Sequence, residues 1–521
     1  MNGTAAWGQL IDRTRAPNTI NEGIGKSLAQ EIGVGRGDIN TPNSSRFIIA
    51  RDPFRAVRRG RQLFQRKFAR SQGQGPLVGD GAGFIDTIGA IGAGLADGCA
   101  ACHGRPRGSA GFGGDVATRP DSRDAPHLFG LGLVEMLGDE ITTDLRAIRE
   151  SAVSTACAGP VGTASTKSLN SKGINYGSIT ATRTTGPTGT CAITLNVANV
   201  KGVDTDLRVR PFFHQGGTIS MREFLVGAFQ AEMGLQPIDP DLAQAQAGGI
   251  VTTPAGMVLN GKTDKIEVAV AQDATTDNDG DGVVNEIPTS LVDFMEFYLL
   301  NYFKPGLAGT NASTTSGRSS FVSMGCAGCH IPDLTINKDR RVADLETVYD
   351  PARGNPFNRL FATATAKVVT VSDATGHPPQ KKPALGSFVV KNIFTDFKRH
   401  DLGPNFYERN YNGTTQKLFR TEPLWGVGTS APYGHDGRSH NLREVIYRHG
   451  GEAQTARNKF VNGGGTAQDN VIAFLNTLIL FPPDDTPSNL DPINTAAPGY
   501  PQAGHGSIKL GVLFNDPTEP E

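Results

Sequence analysis

The chain has 521 residues, enough for two or three domains that each bury a core. Its formal net charge of -1, from 50 Lys and Arg against 51 Asp and Glu, gives no sign of nucleic-acid binding. No apolar run reaches the roughly 18 residues of a membrane span, so the sequence predicts none. The 65 Gly and 32 Pro favour long ordered loops.

Apolar residues recur at helical spacing in six segments along the chain. These segments are 52–70, 141–153, 218–233, 289–303, 440–451 and 469–481. Residues 170–210 alternate instead like short strands or a hairpin. The sequence therefore predicts a mostly α, loop-rich fold with a small hairpin-like β insertion.

A five-residue CxxCH pattern occurs twice in the chain. Each copy has two cysteines and a histidine, namely Cys99, Cys102 and His103, and Cys326, Cys329 and His330. This pattern attaches haem c, because both thiols can bond vinyl groups while the histidine reaches the iron. The alternatives are a chance match or half of a zinc site, but zinc would need more Cys or His ligands nearby. We expect two covalently bound haem c groups.

A longer similarity follows each CxxCH motif. "RPFFHQGGTISMREFLVGAFQ" begins at Arg210, and "APYGHDGRSHNLREVIYRHGG" begins at Ala431. Aligned without gaps they place His214 on His435, at similar distances from the two haem histidines. The sequence predicts two c-type cytochrome domains related by duplication.

The two copies differ at the position fourteen residues after the paired histidine. The second copy has His449 there, on the expected inward face of the following helix, and the first has Ala228. A histidine could bind iron opposite His330, whereas an alanine cannot. We therefore expect a closed second haem, with a protein ligand on both sides of the iron, and an open first haem, with one side free for a small molecule. Two readings compete with this: His449 as a surface residue near a helix end, and His400 as the second-haem ligand.

The predicted division of the chain follows from the repeat. It comprises an N-terminal extension (1–54), a first, reactive haem c domain (55–245), a linker (246–290), a second, electron-transfer haem c domain (291–485) and a Pro-rich tail (486–521).

Two further features concern cysteines and carboxylates. Cys157 and Cys191 remain after haem attachment, and they form either a disulfide, natural in an exported protein, or two free buried thiols. The linker carries half of a calcium loop, which is either a Ca²⁺ site or a solvated acidic turn. Its candidate ligands are Asp277, Asp279, Asp281 and Glu286.

Several longer motifs lie between about residues 55 and 481. They are "QGQGPLVGDG", "APHLFGLGLVEML", "RPFFHQGG", "AEMG", "HDLGP", "LWGVGTSAPYGHDGRSHNLREVIYRHGGEA" and "VIAFLNTLILF". With these motifs the chain resembles the bacterial di-haem cytochrome c peroxidase superfamily, and most closely the branch of putative di-haem peroxidases once called thiol oxidoreductases, which includes the rubber oxygenases.

The resemblance implies roles for several residues. Glu232 occupies the place of a distal carboxylate that serves as acid and base, although it could instead be a solvated residue at a helix end. Phe229 matches an apolar distal residue of the rubber oxygenases, and His214 stands where the family commonly has a Trp between the haems. His449 matches a second-haem ligand that varies in the superfamily. Arg438 is expected to pair with a haem propionate.

His127 and Glu135 lie where the resembling branch packs its first haem, so we expect packing and propionate contacts from them rather than catalysis. We therefore expect an enzyme that reduces peroxide or activates oxygen at the first haem, with the second as electron relay and a redox partner protein as donor. The alternatives are a dioxygenase that cleaves an apolar alkene and a non-catalytic electron-transfer cytochrome. Haem attachment and a disulfide favour a periplasmic or secreted location, although residues 1–15 hold no apolar signal core, so we expect the numbering to start at a mature or trimmed end.

Overall fold

The computed structural model describes residues 28–75, 96–103, 123–187, 190–266, 275–277, 281–301, 305–307, 309–341, 344–349, 360–365, 368–410 and 413–479. The helices are α1 (Leu28–Ile32), α2 (Ser45–Arg51), α3 (Pro53–Gln65), α4 (Cys99–Cys102), α5 (Leu131–Ala158), α6 (Met221–Met233), α7 (Pro240–Gln246), α8 (Thr289–Asn301), α9 (Ala312–Met324), α10 (Leu442–Arg448), α11 (Gln454–Asn462) and α12 (Gly464–Leu475). No described helix combines the length and the apolar run that a bilayer crossing needs.

The strands are short and pair locally. They are β1 (Ala164–Ser171), β2 (Ile174–Thr184), β3 (Ala192–Asn196), β4 (Ile250–Thr252), β5 (Val258–Asn260), β6 (Gly306–Leu307), β7 (Leu334–Ile336), β8 (Asp344–Tyr349), β9 (Leu360–Thr365), β10 (Val368–Val371), β11 (Gln380–Pro383), β12 (Phe388–Val390), β13 (Arg399–Asp401), β14 (Glu408–Arg409), β15 (Thr415–Gln416), β16 (Leu418–Arg420) and β17 (Leu478–Ile479).

The six helical segments expected from periodicity are all helices, namely α3, α5, α6, α8, α10 and α12. The fold is thus compatible with the mostly α, loop-rich prediction. α5 is longer than expected, since its 28 residues start at Leu131. The helix α9 was missed, because its Ser, Thr and Gly residues give little apolar periodicity. Asn311 starts it by accepting a hydrogen bond from the amide of Thr314, which satisfies one of the free N–H groups of its first turn.

The predicted β insertion is an antiparallel sheet of three strands in the order β1, β2, β3. A disulfide joins Cys157, in the last turn of α5, to Cys191, the residue before β3. The disulfide alternative is therefore confirmed, and the two free thiols are wrong. The crosslink fixes the sheet against the end of the longest helix.

Two apolar cores organise the helices. The larger one joins α3, α5, α6 and α8, and the smaller one gathers phenylalanines from α9, α11 and α12 with Phe394. In the smaller core, Gly317 of α9 lies against α12, where a Cβ would come within 1.8 Å of the Asn470 carbonyl oxygen. In the larger core, Gly60 lies so close to α8 that a Cβ would meet Tyr298 Cβ at 2.2 Å. α8, which the sequence assigns to the second domain, thus packs in the larger core.

The two copies of the repeat fold alike around their paired histidines. In each copy a residue two before the histidine forms a β-bridge with the residue four after it, and the bridges are Phe212 with Thr218 and Tyr433 with Ser439. The helix that follows then starts in the same way in both copies. Ser220 accepts a hydrogen bond from the amide of Glu223, and Asn441 accepts one from the amide of Glu444.

The glutamates of this start motif also act alike. The Glu223 carboxylate accepts from the amide of Ile219, and the Glu444 carboxylate accepts from the amide of His440. Each residue of the first copy lies 221 positions before its counterpart in the second copy, the same separation as between His214 and His435 (435 minus 214). The turn, the bridge and the helix start therefore correspond in the backbone as well as in the letters.

Candidate functional site

Both CxxCH motifs form a tight turn that presents its histidine. The amide of His103 donates to the Cys99 carbonyl oxygen, and the amide of His330 donates to that of Cys326, both at 3.0 Å. The four thiols of the motifs are not in disulfides. Burial raises the pKa of Cys99 to about 12 and the pKa of Cys326 to about 11, so these groups are neutral thiols.

The two motif histidines are oriented for metal binding by the same device. His103 Nδ1 lies 2.7 Å from the Pro126 carbonyl oxygen, and His330 Nδ1 lies 3.1 Å from that of Phe394. A carbonyl oxygen only accepts, so Nδ1 carries the proton and Nε2 keeps its lone pair. Burial lowers the pKa of both histidines to about 4. Each therefore offers a neutral imidazole, the form that binds iron.

His449 is the third histidine with this arrangement. Its Nδ1 lies 2.7 Å from the Val445 carbonyl oxygen, which leaves Nε2 free, and burial lowers its pKa. Its electrostatic influence is among the causes that lower the pKa of His330, so the two residues lie in the same part of the structure. The expected place on the face of a helix is wrong, since α10 ends at Arg448 and His449 caps it, before Gly450 and Gly451. Joint binding of one iron by His330 and His449 stays a prediction.

His400 does not offer a ligand atom to iron. Its Nε2 lies 2.9 Å from Asp396 Oδ2, and its Nδ1 lies 2.8 Å from Glu452 Oε2. Burial alone would lower its pKa, but hydrogen bonds to Asp396 and Cys329 outweigh burial and raise the pKa to about 11. The ring is an imidazolium that donates on both sides, so the reading of His400 as second-haem ligand is not supported.

The same residue belongs to the one group in the described part of the chain that has metal-ligand spacing. Atoms of Cys329, Asp396 and His400 lie within 4.8 Å of one another. Because both nitrogens of His400 carry protons, the group lacks a nitrogen donor and does not suit a metal ion. It borders the second CxxCH motif instead.

The histidines nearest to His103 are engaged elsewhere. His127 Nε2 donates to the Trp425 carbonyl oxygen at 3.0 Å, and its Nδ1 accepts a long hydrogen bond of 3.4 Å from the amide of Phe129. His214 Nδ1 lies 2.9 Å from Glu422 Oε1, and its Nε2 lies 3.0 Å from the Asp124 carbonyl oxygen. Neither ring has a lone pair left for iron.

The sequence on either side of the first motif adds no further histidine. Residues 76–95 and 104–122, which flank the first motif outside the described residues, contain no His, Met, Lys or Cys. Within the described residues, the histidines that interact electrostatically with His103 are His127 and His214. The difference expected from Ala228 and His449, one open and one closed haem, stays a prediction.

Glu232 and Phe229 lie on α6 beside the first motif. The carbonyl oxygen of Glu232 accepts a hydrogen bond of 2.9 Å from the amide of Ala96, three residues before Cys99. Phe229 is 3% exposed and shares the larger core with Ala100. The end of α6 is thus fixed against the chain that leads into the CxxCH turn.

His214 and His435, the paired histidines of the repeat, meet between the two halves. Their ring centroids lie 6.2 Å apart, and His435 stacks on Phe419 at 3.8 Å. The backbone of Asp124 joins them, since its amide donates to the His435 carbonyl oxygen and its carbonyl oxygen accepts from His214. His214 therefore lies beside the matching histidine of the other copy, and its expected place between two haems stays a prediction.

Arg438 and Glu135, the remaining predicted residues, make contacts that do not involve either CxxCH motif. The Arg438 side chain is 68% exposed, and its Nε lies 3.7 Å from the buried carboxylate of Asp436, which also pairs with Arg448. Its pairing with a haem propionate stays a prediction. Glu135 is buried and accepts from the amide of Met221, where it fixes the start of α6. The expected role of Glu135 beside the first haem stays a prediction.

Only part of the predicted calcium loop lies within the described residues. The carboxylate of Asp277 accepts from the amides of Asp281 and Gly282, whereas Glu286 accepts from the amide of Gln236. The three described candidates do not form a group with metal-ligand spacing, and Asp279 lies outside the described residues, as does the tail. Calcium binding stays a prediction.

Sequence reasoning missed the residues that hold the predicted ones in place. Asp396 and Glu452 were not recognised, although Asp396 stands four residues before His400. Phe406 packs edge-on against His449, with 5.2 Å between ring centroids, and no local pattern marks it. Glu422 was missed too; burial would raise its pKa, but Arg420 and His214 lower it to about 2.

Comparison with known families gives a match to part of the chain. The family described as "Di-haem oxidoreductase, putative peroxidase" matches residues 340–478, a range that includes His449 but neither CxxCH motif. No curated protein matches the chain. The family implies haem cofactors and oxidoreductase chemistry. This match supports the placement of the chain in the di-haem peroxidase superfamily.

Proposed function

We propose that the chain is a c-type di-haem oxidoreductase that reduces peroxide, or activates dioxygen, at a first haem on His103. A second haem, on His330 and His449, serves as electron relay. The observation that carries the proposal is the difference between the two histidine environments. His330 has a second free imidazole close by, whereas the neighbours of His103, His127 and His214, use both ring nitrogens in hydrogen bonds.

The donor set fits two haem c groups. The thiols of both CxxCH motifs are available for thioether bonds, and His103, His330 and His449 each keep Nε2 free for iron. When bound, the first haem would supply an iron with an open position for a small oxidant, and the second would supply a closed, six-coordinate redox centre. Duplication of a haem c domain accounts for the shared turn and helix start around His214 and His435.

Glu232 is the proposed acid and base. Cleavage of a peroxide O–O bond needs a group that moves a proton from one oxygen to the other. Glu232 lies on the last turn of α6, one helical turn beyond Ala228, and that turn is bonded to the segment before Cys99. Phe229, buried beside it, would exclude water and so favour proton transfer by the carboxylate over exchange with solvent.

Two wider expectations belong to the same proposal. Electrons would come from a redox partner protein and pass to a small-molecule oxidant. Haem attachment and the disulfide of Cys157 and Cys191 favour a periplasmic or secreted place of action.

The chemistry is tested by supplying oxidants separately. Holoprotein reduced with ascorbate is mixed with hydrogen peroxide, and in a second reaction the resting protein is given dioxygen with an unsaturated hydrocarbon and no donor. We expect peroxide to reoxidise the reduced haems with the stoichiometry of two electrons per peroxide. Oxygen uptake in the second reaction alone would replace the peroxidase by the dioxygenase, and inertness in both would leave a pure electron carrier.

A further inference from the structure

His400 lies between two acidic side chains that come from different loops. It is in β13, and its side chain is 7% exposed. Nε2 faces Asp396 at 2.9 Å, and Nδ1 faces Glu452 at 2.8 Å. Ionised carboxylates only accept, so the ring donates one charge-assisted hydrogen bond in each direction, and such bonds are about twice as strong as neutral ones.

The hydrogen bond from His400 to Asp396 reaches the segment that orients His330. Asp396 is 2% exposed and lies two residues after Phe394, whose carbonyl oxygen accepts from His330 Nδ1. The amide of Thr395, between them, donates to the Ile331 carbonyl oxygen at 3.0 Å. A shift of Asp396 would therefore shift the group that fixes the His330 ring.

The hydrogen bond from His400 to Glu452 reaches the loop that carries His449. Glu452 lies three residues after His449, and its other oxygen accepts from the amide of Asp401 at 3.1 Å. Gly451 has a φ of +49°, and a Cβ there would meet the Asp401 carbonyl oxygen at 2.1 Å. A glycine is needed for the loop to lie this close to β13.

We propose that His400 is a positioning residue that holds the His330 loop and the His449 loop at a fixed separation, so that both imidazoles bind one iron. The inference rests on the proposed function, in which these two histidines bind the second haem. Residues that hydrogen-bond around metal ligands fix the orientation of those ligands, and their loss weakens a site by about 10- to 100-fold. His400 is unusual in reaching both ligand-bearing loops at once.

The test uses holoprotein with Glu452→Ala and His400→Gln, and matched controls Glu150→Ala and His440→Gln on exposed residues. The Glu452 side chain is 54% exposed, so its removal leaves the core intact. Electron paramagnetic resonance and cyanide titration at the second haem are the readouts. We expect both variants to keep two haems, but their second haem should become partly high-spin and should bind cyanide at concentrations at which the wild-type second haem stays low-spin and unchanged. The controls should match wild type.

The outcomes separate the two claims. A wild-type second haem that is high-spin or binds cyanide overturns its ligation by two histidines, and with it the proposed function. In the other case the wild-type second haem is low-spin and binds no cyanide. If the second haem of Glu452→Ala then binds no cyanide either, only the positioning role of His400 is overturned. If His400→Gln fails to fold, the Glu452→Ala result decides.

Discussion

Replacing Arg222 by Met should destabilise the protein strongly, because this residue is the cation of a buried acidic cluster. Arg222 is fully buried in the first turn of α6, the helix that carries Glu232. Its guanidinium lies 2.7 Å from Asp239, 3.0 Å from Asp293 and 2.8 Å from Glu296, whose carboxylates are also buried. Removing one partner of a buried ion pair costs about 3–5 kcal/mol, since the other charge stays desolvated.

The loss should depend on pH in a defined direction. Burial raises the pKa of Glu296 from 4.5 to about 7 even with Arg222 present. The folded protein therefore holds this proton where the unfolded chain has released it. The contribution of Glu296 to stability is thus fully present below about pH 4.5 and is lost as the pH rises through about 7. Without Arg222 the pKa rises further, and the difference between variant and wild type should grow with pH.

Urea unfolding followed by circular dichroism, at about pH 5 and about pH 8, measures both effects. The control is Arg149→Met, whose partner Glu150 is 62% exposed, and such surface pairs contribute less than about 1 kcal/mol. Arg222→Met should lose about 3–5 kcal/mol at the higher pH and less at the lower. A loss no larger than that of the control at either pH would refute the account of the cluster.

Three further predictions concern the site and the crosslink. His449→Ala should make the second haem alone high-spin in electron paramagnetic resonance, and an unchanged low-spin signal would remove His449 as ligand. Glu232→Gln should keep both haem spectra but slow the reaction with peroxide by about 10²- to 10⁴-fold in stopped-flow mixing, and an unchanged rate would make Glu232 a bystander. Cys157→Ser with Cys191→Ser should lower the free energy of unfolding by about 3–4 kcal/mol, because a loop of 34 positions is no longer closed; a loss below about 1 kcal/mol would contradict this.

The sequence similarity of the two copies predicted that their backbones have the same turn and the same helix start. The alignment of His214 with His435 carries over to the bridges and helix starts, because turn and capping preferences are local. The helical pattern was taken through residue 451, whereas α10 ends at Arg448, as the alternative that placed His449 near a helix end had it. Glycines after a helical pattern end a helix more reliably than periodicity continues one.

The state of His400 could not be read from the sequence. Asp396 is near it along the chain, but Glu452 is 52 positions away, and only the fold brings both carboxylates to the ring. The helix α9 was missed for a related reason. Its stability comes from close packing of Gly317 on α12, a tertiary contact that outweighs its weak periodicity.

The central claim is that the two haems differ, one open and one closed by His449. Electron paramagnetic resonance of the resting holoprotein, before and after cyanide, tests it most directly. The account predicts one high-spin or water-bound haem that becomes low-spin with cyanide, and one low-spin haem with two nitrogen ligands that does not respond. Two low-spin signals that both ignore cyanide would contradict it.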